Sequence, residues 1–382
     1  MRALALRPQD GTVNVEEIPP PIPGPTDLLI RVATVALNPV DWIYVAHPIA
    51  TQETRIVGTD FAGTVVGKGS DVNDERIKIG ARVAGFLQGA CSTNDRPGAF
   101  ADVPGQLSLE QAASISMCGL TAAQGVFGRL GMPCPFGTGA AGPGDAFQGR
   151  TPADGPENCL IYGSSTSLGL YVAQLVKLVE RTSGQRIRLI GAASSSKHEL
   201  LRQKPYDYDV LVDYRDENWP EKVRAATGGK GVDFAMDCIS EGATVEKVES
   251  TFGPSGGRFA VIRAPQGGKY DLSKMRVKPA YGAVWEGLGV EIGYNGLIIP
   301  ANPRARKFAA EFYEFLGSGA VRGEVMLEPN PIRIMPGGLD RIVPDGFTLL
   351  GSLRVSDRGE SGRTEDYMRP ISMEKLVYSL VK

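Results

Sequence analysis

The chain has 382 residues, 42% of them hydrophobic and 22% charged, the proportions of a soluble globular protein long enough for two separately cored domains. Lysine plus arginine (41) nearly balances aspartate plus glutamate (43), which argues against the summed positive field that gathers nucleic acid or anionic membrane and points to a small-molecule partner. Five cysteines, Cys91, Cys118, Cys134, Cys159 and Cys238, are scattered without a CxxC pair, so free thiols are expected.

Taken in chain order, Met1 to Leu6 is apolar but is cut off by Arg7 and Pro8, short of a signal-peptide core. No later stretch reaches the roughly 18 apolar residues of a membrane span, so the expectation is a cytoplasmic protein. Leu28 to Leu37, Ala62 to Gly67 and Arg82 to Leu87 read as strands separated by Pro and Gly turns without intervening helices, the pattern of a β-rich domain. Ser108 followed by Gln111 fits a capping box heading a helix that runs to about Leu130. Pro133 to Pro156 is dense in Gly, Pro, Ala and polar residues and reads as an exposed connection.

From Cys159 onward strand-like and helix-like runs alternate. Cys159 to Gly163 reads as a buried strand, Leu168 to Arg181 as a helix and Arg186 to Gly191 as the next strand, followed by strands at Val210 to Tyr214, Val232 to Asp237 and Arg258 to Ile262. That order is the signature of parallel βαβ units in a doubly wound sheet. A helix from Pro303 to Leu316 and a last strand near Leu376 to Val381 follow. The expected domains are residues 1–157, 158–290 and 291–382, the first and last together forming one β-rich domain into which a nucleotide-binding domain is inserted.

The strongest local signal is Tyr162-Gly163-Ser164-Ser165-Thr166-Ser167-Leu168-Gly169, after a strand and at the head of a helix. Small residues let the backbone approach a pyrophosphate, and the helix N-terminus supplies N–H donors. A Ser/Thr-rich helix cap without a ligand is the alternative. The second strand ends in Ala193-Ser194-Ser195-Ser196-Lys197-His198, with no carboxylate before Glu199. An NAD-specific domain usually places an acid there, whereas three hydroxyls and a lysine suit the 2′-phosphate of NADP; a solvated serine loop is the alternative. His47 and His198 are far apart and lack partners at ligand spacing, so no Cys/His metal site is expected. Hydride chemistry without zinc favours an activated C=C over a simple alcohol.

Asn38-Pro39-Val40-Asp41, Gly58-Thr59-Asp60-Phe61-Ala62-Gly63-Thr64-Val65-Val66, Gly80-Ala81-Arg82-Val83 and Gly98-Ala99-Phe100-Ala101 follow one another as in the quinone oxidoreductase-like branch of the medium-chain dehydrogenase/reductase superfamily, which the chain resembles. The Cys near Val40 and the Gly-His-Glu near Thr59 of the zinc enzymes are missing, so the resemblance is to the zinc-free branch. Within it, Asn94 to Phe100, Cys118 to Ala122, Asp213-Tyr214 and the tail Met368 to Val377 resemble fungal trans-acting enoyl reductases, which serve polyketide synthases whose own enoyl reductase domain is inactive. The fold this implies is α/β, a Rossmann-type doubly wound sheet inserted into a GroES-like catalytic domain, with NADPH as cofactor.

Carried over by position, the resemblance puts Val40, Asp41, Trp42 and Ile43 beside the nicotinamide and Gly163, Ser164, Ser165, Thr166 and Ser167 on the pyrophosphate. It puts Ser194, Ser195, Ser196 and Lys197 on the 2′-phosphate, Tyr214 by the adenosine, and Ile262, Arg263, Ile371 and Ser372 over the cofactor. Cys118, Gly119, Leu120, Thr121, Ala122, Ala123, Gln124 and Gly125, with Ala283, Val284, Trp285, Glu286 and Gly287, would line the substrate cleft. For Cys118 and Tyr214 an ordinary packing role is the alternative. Many relatives have Lys where this chain has Ile43, which leaves Asp41, Tyr44, Thr121 or water as candidate proton donors. About a dozen residues present in relatives are missing between Ala101 and Val103, and a strand lost there would leave its partners unpaired. The implied activity is NADPH-dependent reduction of an enoyl thioester presented on the carrier domain of a polyketide or hybrid synthase. A free-standing quinone or enone reductase and a non-catalytic NADPH-binding protein are the rival readings, and both monomer and homodimer occur among relatives.

Overall fold

The computed structural model describes residues 1–48, 54–73, 77–90, 98–137, 155–294, 297–351, 354–355, 358 and 361–381. Cys91, Asn94 to Pro97 and most of the Pro133 to Pro156 connection lie outside the described residues. By packing the chain divides into two units, Met1–Met117 with Trp285–Lys382, and Cys118–Val284.

In chain order the first unit opens with strands β1 (Arg2–Arg7), β2 (Thr12–Glu17) and β3 (Leu28–Ala36), helix α1 (Pro39–Ala46), and strands β4 (Arg55–Ile56), β5 (Asp60–Lys68), β6 (Arg82–Leu87) and β7 (Gly98–Asp102). Helices α2 (Leu109–Ala113) and α3 (Ser116–Ala123) and a π-helical turn (Gln124–Arg129) replace the single expected helix. Its capping box is present: Ser108 N–H donates to Gln111 Oε1 (2.9 Å), and Gln111 N–H to Ser108 Oγ (3.2 Å). The second unit contributes β8 (Glu157–Tyr162), α4 (Ser167–Ser183), β9 (Ile187–Ala193), α5 (His198–Arg202), β10 (Val210–Asp213), α6 (Trp219–Ala226), β11 (Phe234–Asp237), α7 (Ala243–Glu249), β12 (Arg258–Val261), α8 (Pro265–Gly268) and β13 (Ala280–Tyr281). The first unit then closes with β14 (Ile292–Tyr294), β15 (Leu297–Ile299), α9 (Pro303–Arg322), β16 (Ile332–Met335), α10 (Thr348–Leu350) and β17 (Lys375–Ser379).

Six strands of the first unit form a sheet in the order β16-β17-β3-β5-β6-β7, with a smaller sheet β2-β1-β4 and a β14-β15 pair. The last strand, β17, therefore lies beside β3 near the start of the chain, with Val377 opposite Ala36. Strand β7, at the junction after Ala101, is the edge strand of this sheet. Strand β7 pairs with β6 from Leu87–Gly98 to Val83–Asp102, and Val103 N–H continues the ladder to Arg82 O at 2.9 Å. The shortened junction turns directly out of β7, and α9 runs beside that strand, with Arg306 Nη1 donating to Gly98 O (2.9 Å). A helix stands where only turns between strands were expected: α1 begins at Pro39, where a missing N–H and a fixed φ are tolerated.

The second unit is a parallel sheet in the order β10-β9-β8-β11-β12-β13, as the alternating pattern predicts. Its core joins Leu160, Ile190, Trp219, Val223, Phe252 and Phe259 across the helices and strands. By packing, the second unit starts at Cys118 and ends at Val284. Gln124 Nε2 donates to Val284 O (3.3 Å), and a Cβ on Gly125 would stand 2.6 Å from Met236 Cε, so the helical run after Met117 packs on the parallel sheet. Trp285 packs instead on Tyr44 and Phe86, with ring centroids 6.1 and 6.0 Å away.

Candidate functional site

In the second unit the chain leaves β8 toward β9 on one side and later returns to β11 on the other. Such a reversal opens a crevice at the carboxyl ends of the strands. The loop after β8 begins at Gly163, whose φ of +73° suits glycine. A Cβ on Gly169 would lie 2.4 Å from Gly163 O, so only glycine lets α4 start this close to the loop. Thr166 caps α4: its Oγ1 accepts from Gly169 N–H (3.0 Å) and donates to Gly163 O (2.8 Å). Ser164 is fully buried, its hydroxyl facing the space beside Gly191 where a Cβ would come within 2.8 Å. Thr166 and Ser164 thus build the loop, and the Ser165 and Ser167 side chains remain partly exposed beside the N-terminus of a 17-residue helix.

Beyond β9, Ser194 to Lys197 form a tight turn closed by Lys197 N–H to Ser194 O (2.9 Å). Sequence order hides a carboxylate that the fold brings here from β10. Asp213 Oδ2 accepts from Ser195 N–H (3.1 Å) and Oδ1 from Arg215 N–H (2.9 Å). These backbone donors, Arg215 first, hold the Asp213 carboxyl below the usual carboxylate range. With both oxygens engaged, Asp213 braces the turn, and the Arg215 guanidinium lies over the Tyr214 ring at 4.7 Å. Ser195, Ser196, Tyr214 and Arg215 are exposed, and Ser194 and Lys197 partly so. Arg215 had no place in the sequence reading.

At the end of β11, Asp237 is wholly buried and accepts from Ile239 N–H (2.8 Å), Ser240 N–H (2.7 Å) and Thr244 Oγ1 (2.8 Å). Burial nevertheless pushes its carboxyl up to about 6. Ser240, at a φ of +56°, accepts through Oγ from Ile262 N–H (3.0 Å), which fixes Ile262 at the end of β12. Arg263 pairs with Glu241 at 2.8 Å.

The first unit carries a second, unforeseen constellation. Asp41, in the first turn of α1, accepts from Asn38 N–H through Oδ2 (2.7 Å). Asn38 Nδ2 donates to Thr59 Oγ1 (2.8 Å) and Asp60 Oδ2 (2.9 Å), and Asp60 Oδ1 accepts from Met117 N–H (2.9 Å). Lys375 donates to Asn38 Oδ1 and stands 3.1 Å from Asp60 Oδ2. All five side chains are buried. Burial, above all, raises the Asp41 carboxyl to about 7, against the opposing pull of the Asn38 N–H.

Of the candidate donors, Asp41 and Tyr44 are buried, Tyr44 hydroxyl accepting from Gln88 Nε2 at 3.4 Å, and Thr121 is partly exposed. Among the residues expected beside the cofactor, Val40 is buried, Trp42, Ile43 and Ile371 are partly exposed and Ser372 is exposed. In the run 118–125 only Cys118 and Thr121 keep partly open side chains. In the run 283–287, Val284, Trp285 and Gly287 are buried, and Ala283 and Glu286 partly exposed. Among the described residues no three His, Cys, Asp or Glu side chains stand together as a metal-ligand group, and no helix is long and apolar enough to cross a membrane.

Residues 24–131 match the family model "Alcohol dehydrogenase GroES-like domain". Among solved structures, an alcohol dehydrogenase superfamily protein from Novosphingobium aromaticivorans matches with a TM-score of 0.68 at 18% identity, covering 100% of both chains. The CurK enoyl reductase matches with a TM-score of 0.66 at 17% identity, covering 99% of each. These likenesses show the fold, one shared by dehydrogenases and enoyl reductases. Among curated proteins, trans-enoyl reductase ACTTS2 of Alternaria alternata is 31% identical over 93% of this chain and 96% of its own length. Enoyl reductase cheB of Chaetomium globosum is 29% identical over 96% of this chain and 91% of its own length. The chain belongs to the fungal trans-enoyl reductase family of oxidoreductases.

Proposed function

We propose that this protein reduces the α,β-double bond of a carrier-bound polyketide intermediate with NADPH. What supports this reading most is the near full-length similarity to proteins named trans-enoyl reductases. The residues of the second unit fit the cofactor. The close approach at Gly163 and Gly169 leaves room for a pyrophosphate at the head of α4, where Ser165 and Ser167 would donate. Ser194, Ser195, Ser196 and Lys197 would hold the 2′-phosphate, joined by Arg215, with Tyr214 against the adenosine. Asp213 is occupied by two backbone donors, which disfavours it as an acceptor for a free ribose 2′-hydroxyl and with it a preference for NADH.

When bound, NADPH would supply a hydride to the β-carbon. The protein's part is to hold the nicotinamide, for which Val40, Trp42, Ile43, Ile262, Arg263, Ile371 and Ser372 are the proposed residues, and to stabilise the negative charge developing on the thioester oxygen with N–H or hydroxyl donors. Thr121, the candidate donor with a partly open side chain, would pass a proton from water to the α-carbon. The carrier requirement is tested by comparing one enoyl chain on an isolated acyl carrier domain and on a short pantetheine arm. A kcat/KM at least tenfold higher on the carrier is expected; equal values, or preference for a simple quinone, would replace this reading with that of a free-standing enone or quinone reductase.

A further inference from the structure

The buried constellation around Lys375 has no place in the chemistry described so far, yet its geometry bears on one part of it. Lys375 opens the final strand, 337 positions from Asn38, and its side chain is 3% exposed. It reaches Asn38 Oδ1 and Asp60 Oδ2 together. Asn38 is the residue from which α1 starts: its N–H is held by Asp41, and its amide spans Thr59 and Asp60. Asp60 in turn accepts from Met117 N–H, at the head of the helical run that leaves this unit. One ammonium therefore ties three stretches of chain, the last strand, the start of α1 and β5, at a point where two carboxylates are buried. Lys375 stands against Asp60, and burial favours the protonated form of Asp41.

We propose that Lys375 is a positioning residue, which fixes the Asn38–Asp41 turn through Asn38 and Asp60 and thereby sets where α1 presents Val40, Trp42 and Ile43 to the nicotinamide. The inference rests on the reading of this protein as an NADPH-dependent reductase. A lysine that only stabilised the fold could be replaced, together with its partner acid, by uncharged groups without effect on the folded protein's chemistry. A positioning lysine could not, because the link from the last strand to Asn38 Oδ1 would be lost even in a neutral, folded variant.

The test pairs Lys375→Met with Lys375→Met/Asp60→Asn. The single variant leaves a buried carboxylate without its cation and is prone to unfold; the double variant removes both charges and keeps the experiment decisive. Backbone hydrogen exchange in the folded double variant should quicken by at least about tenfold over residues 38–47 and stay unchanged over β1 and β2. Its NADPH Kd should stay within about threefold of wild type, because the phosphate-holding residues lie in the other unit, while kcat on an enoyl thioester falls by about 100-fold. Unchanged exchange over residues 38–47 would overturn the proposal, as would faster exchange with wild-type kcat. A wild-type protein that turns over no enoyl thioester would defeat the reductase reading instead, and the exchange measurement would still decide whether Lys375 anchors the turn.

Discussion

Replacing Asp41 by Asn isolates the cost of burying an ionisable group in this cluster. The amide keeps an oxygen to accept from Asn38 N–H, the 2.7 Å bond that starts α1, and removes the titration. In the folded protein burial raises the Asp41 carboxyl to about 7, whereas in the unfolded chain it returns to about 4. The folded state therefore binds this proton more tightly. Its contribution to stability is complete below about pH 4 and is lost as pH rises through about 7. A difference of that size corresponds to on the order of 4 kcal/mol between pH 4 and pH 8. Asp41→Asn should accordingly match the wild type near pH 4.5 and exceed it at pH 8 by up to about that amount. Urea unfolding at the two pH values, followed through the buried Trp285 of the same unit, measures the difference. Parallel pH profiles for the two proteins would refute the buried, protonated assignment of Asp41.

Two other perturbations act on the nucleotide unit. Lys197→Ala with Ser194→Ala should weaken NADPH by at least tenfold while changing NADH by less than about threefold, since the 2′-phosphate loses charge-assisted bonds worth roughly 1.5–3 kcal/mol each; equal loss for both cofactors in titration calorimetry would remove the assigned phosphate pocket. Gly169→Ala drives a methyl to within 2.4 Å of Gly163 O, so the loop must open. Loss of cofactor binding with a destabilisation of about 1–3 kcal/mol is expected, and an unchanged Kd and Tm would contradict the close helix-to-loop approach.

The nucleotide unit was legible because its signals are local. A buried strand, small residues and a helix follow one another within Cys159 to Arg181, and the alternation repeats at a regular spacing. The Ser108–Gln111 box was legible for the same reason. Helix α1 escaped because eight residues, Pro39–Ala46, give a strand-like apolar run too short to show a helical period, although Asn38 with Asp41 three positions on is a start signal. Lys375 beside Asn38 and Asp213 beneath Ser195 were illegible in kind. Each pair is assembled by sheet pairing between distant segments, β17 on β3 and β10 on β9, and no local pattern encodes it. At the junction after Ala101, Gly98–Asp102 form β7 and pair along β6, a contact between segments that lie close in the chain.

The most direct test of the central claim is the initial rate of NADPH oxidation by the purified protein on an α,β-unsaturated acyl thioester of pantetheine, beside NADH and a simple quinone as controls. Steady NADPH consumption with the saturated thioester as product, and little rate with NADH, is expected. NADPH binding without consumption on either the pantetheine arm or an acyl carrier domain would contradict it and leave a nucleotide-binding protein without reductase activity.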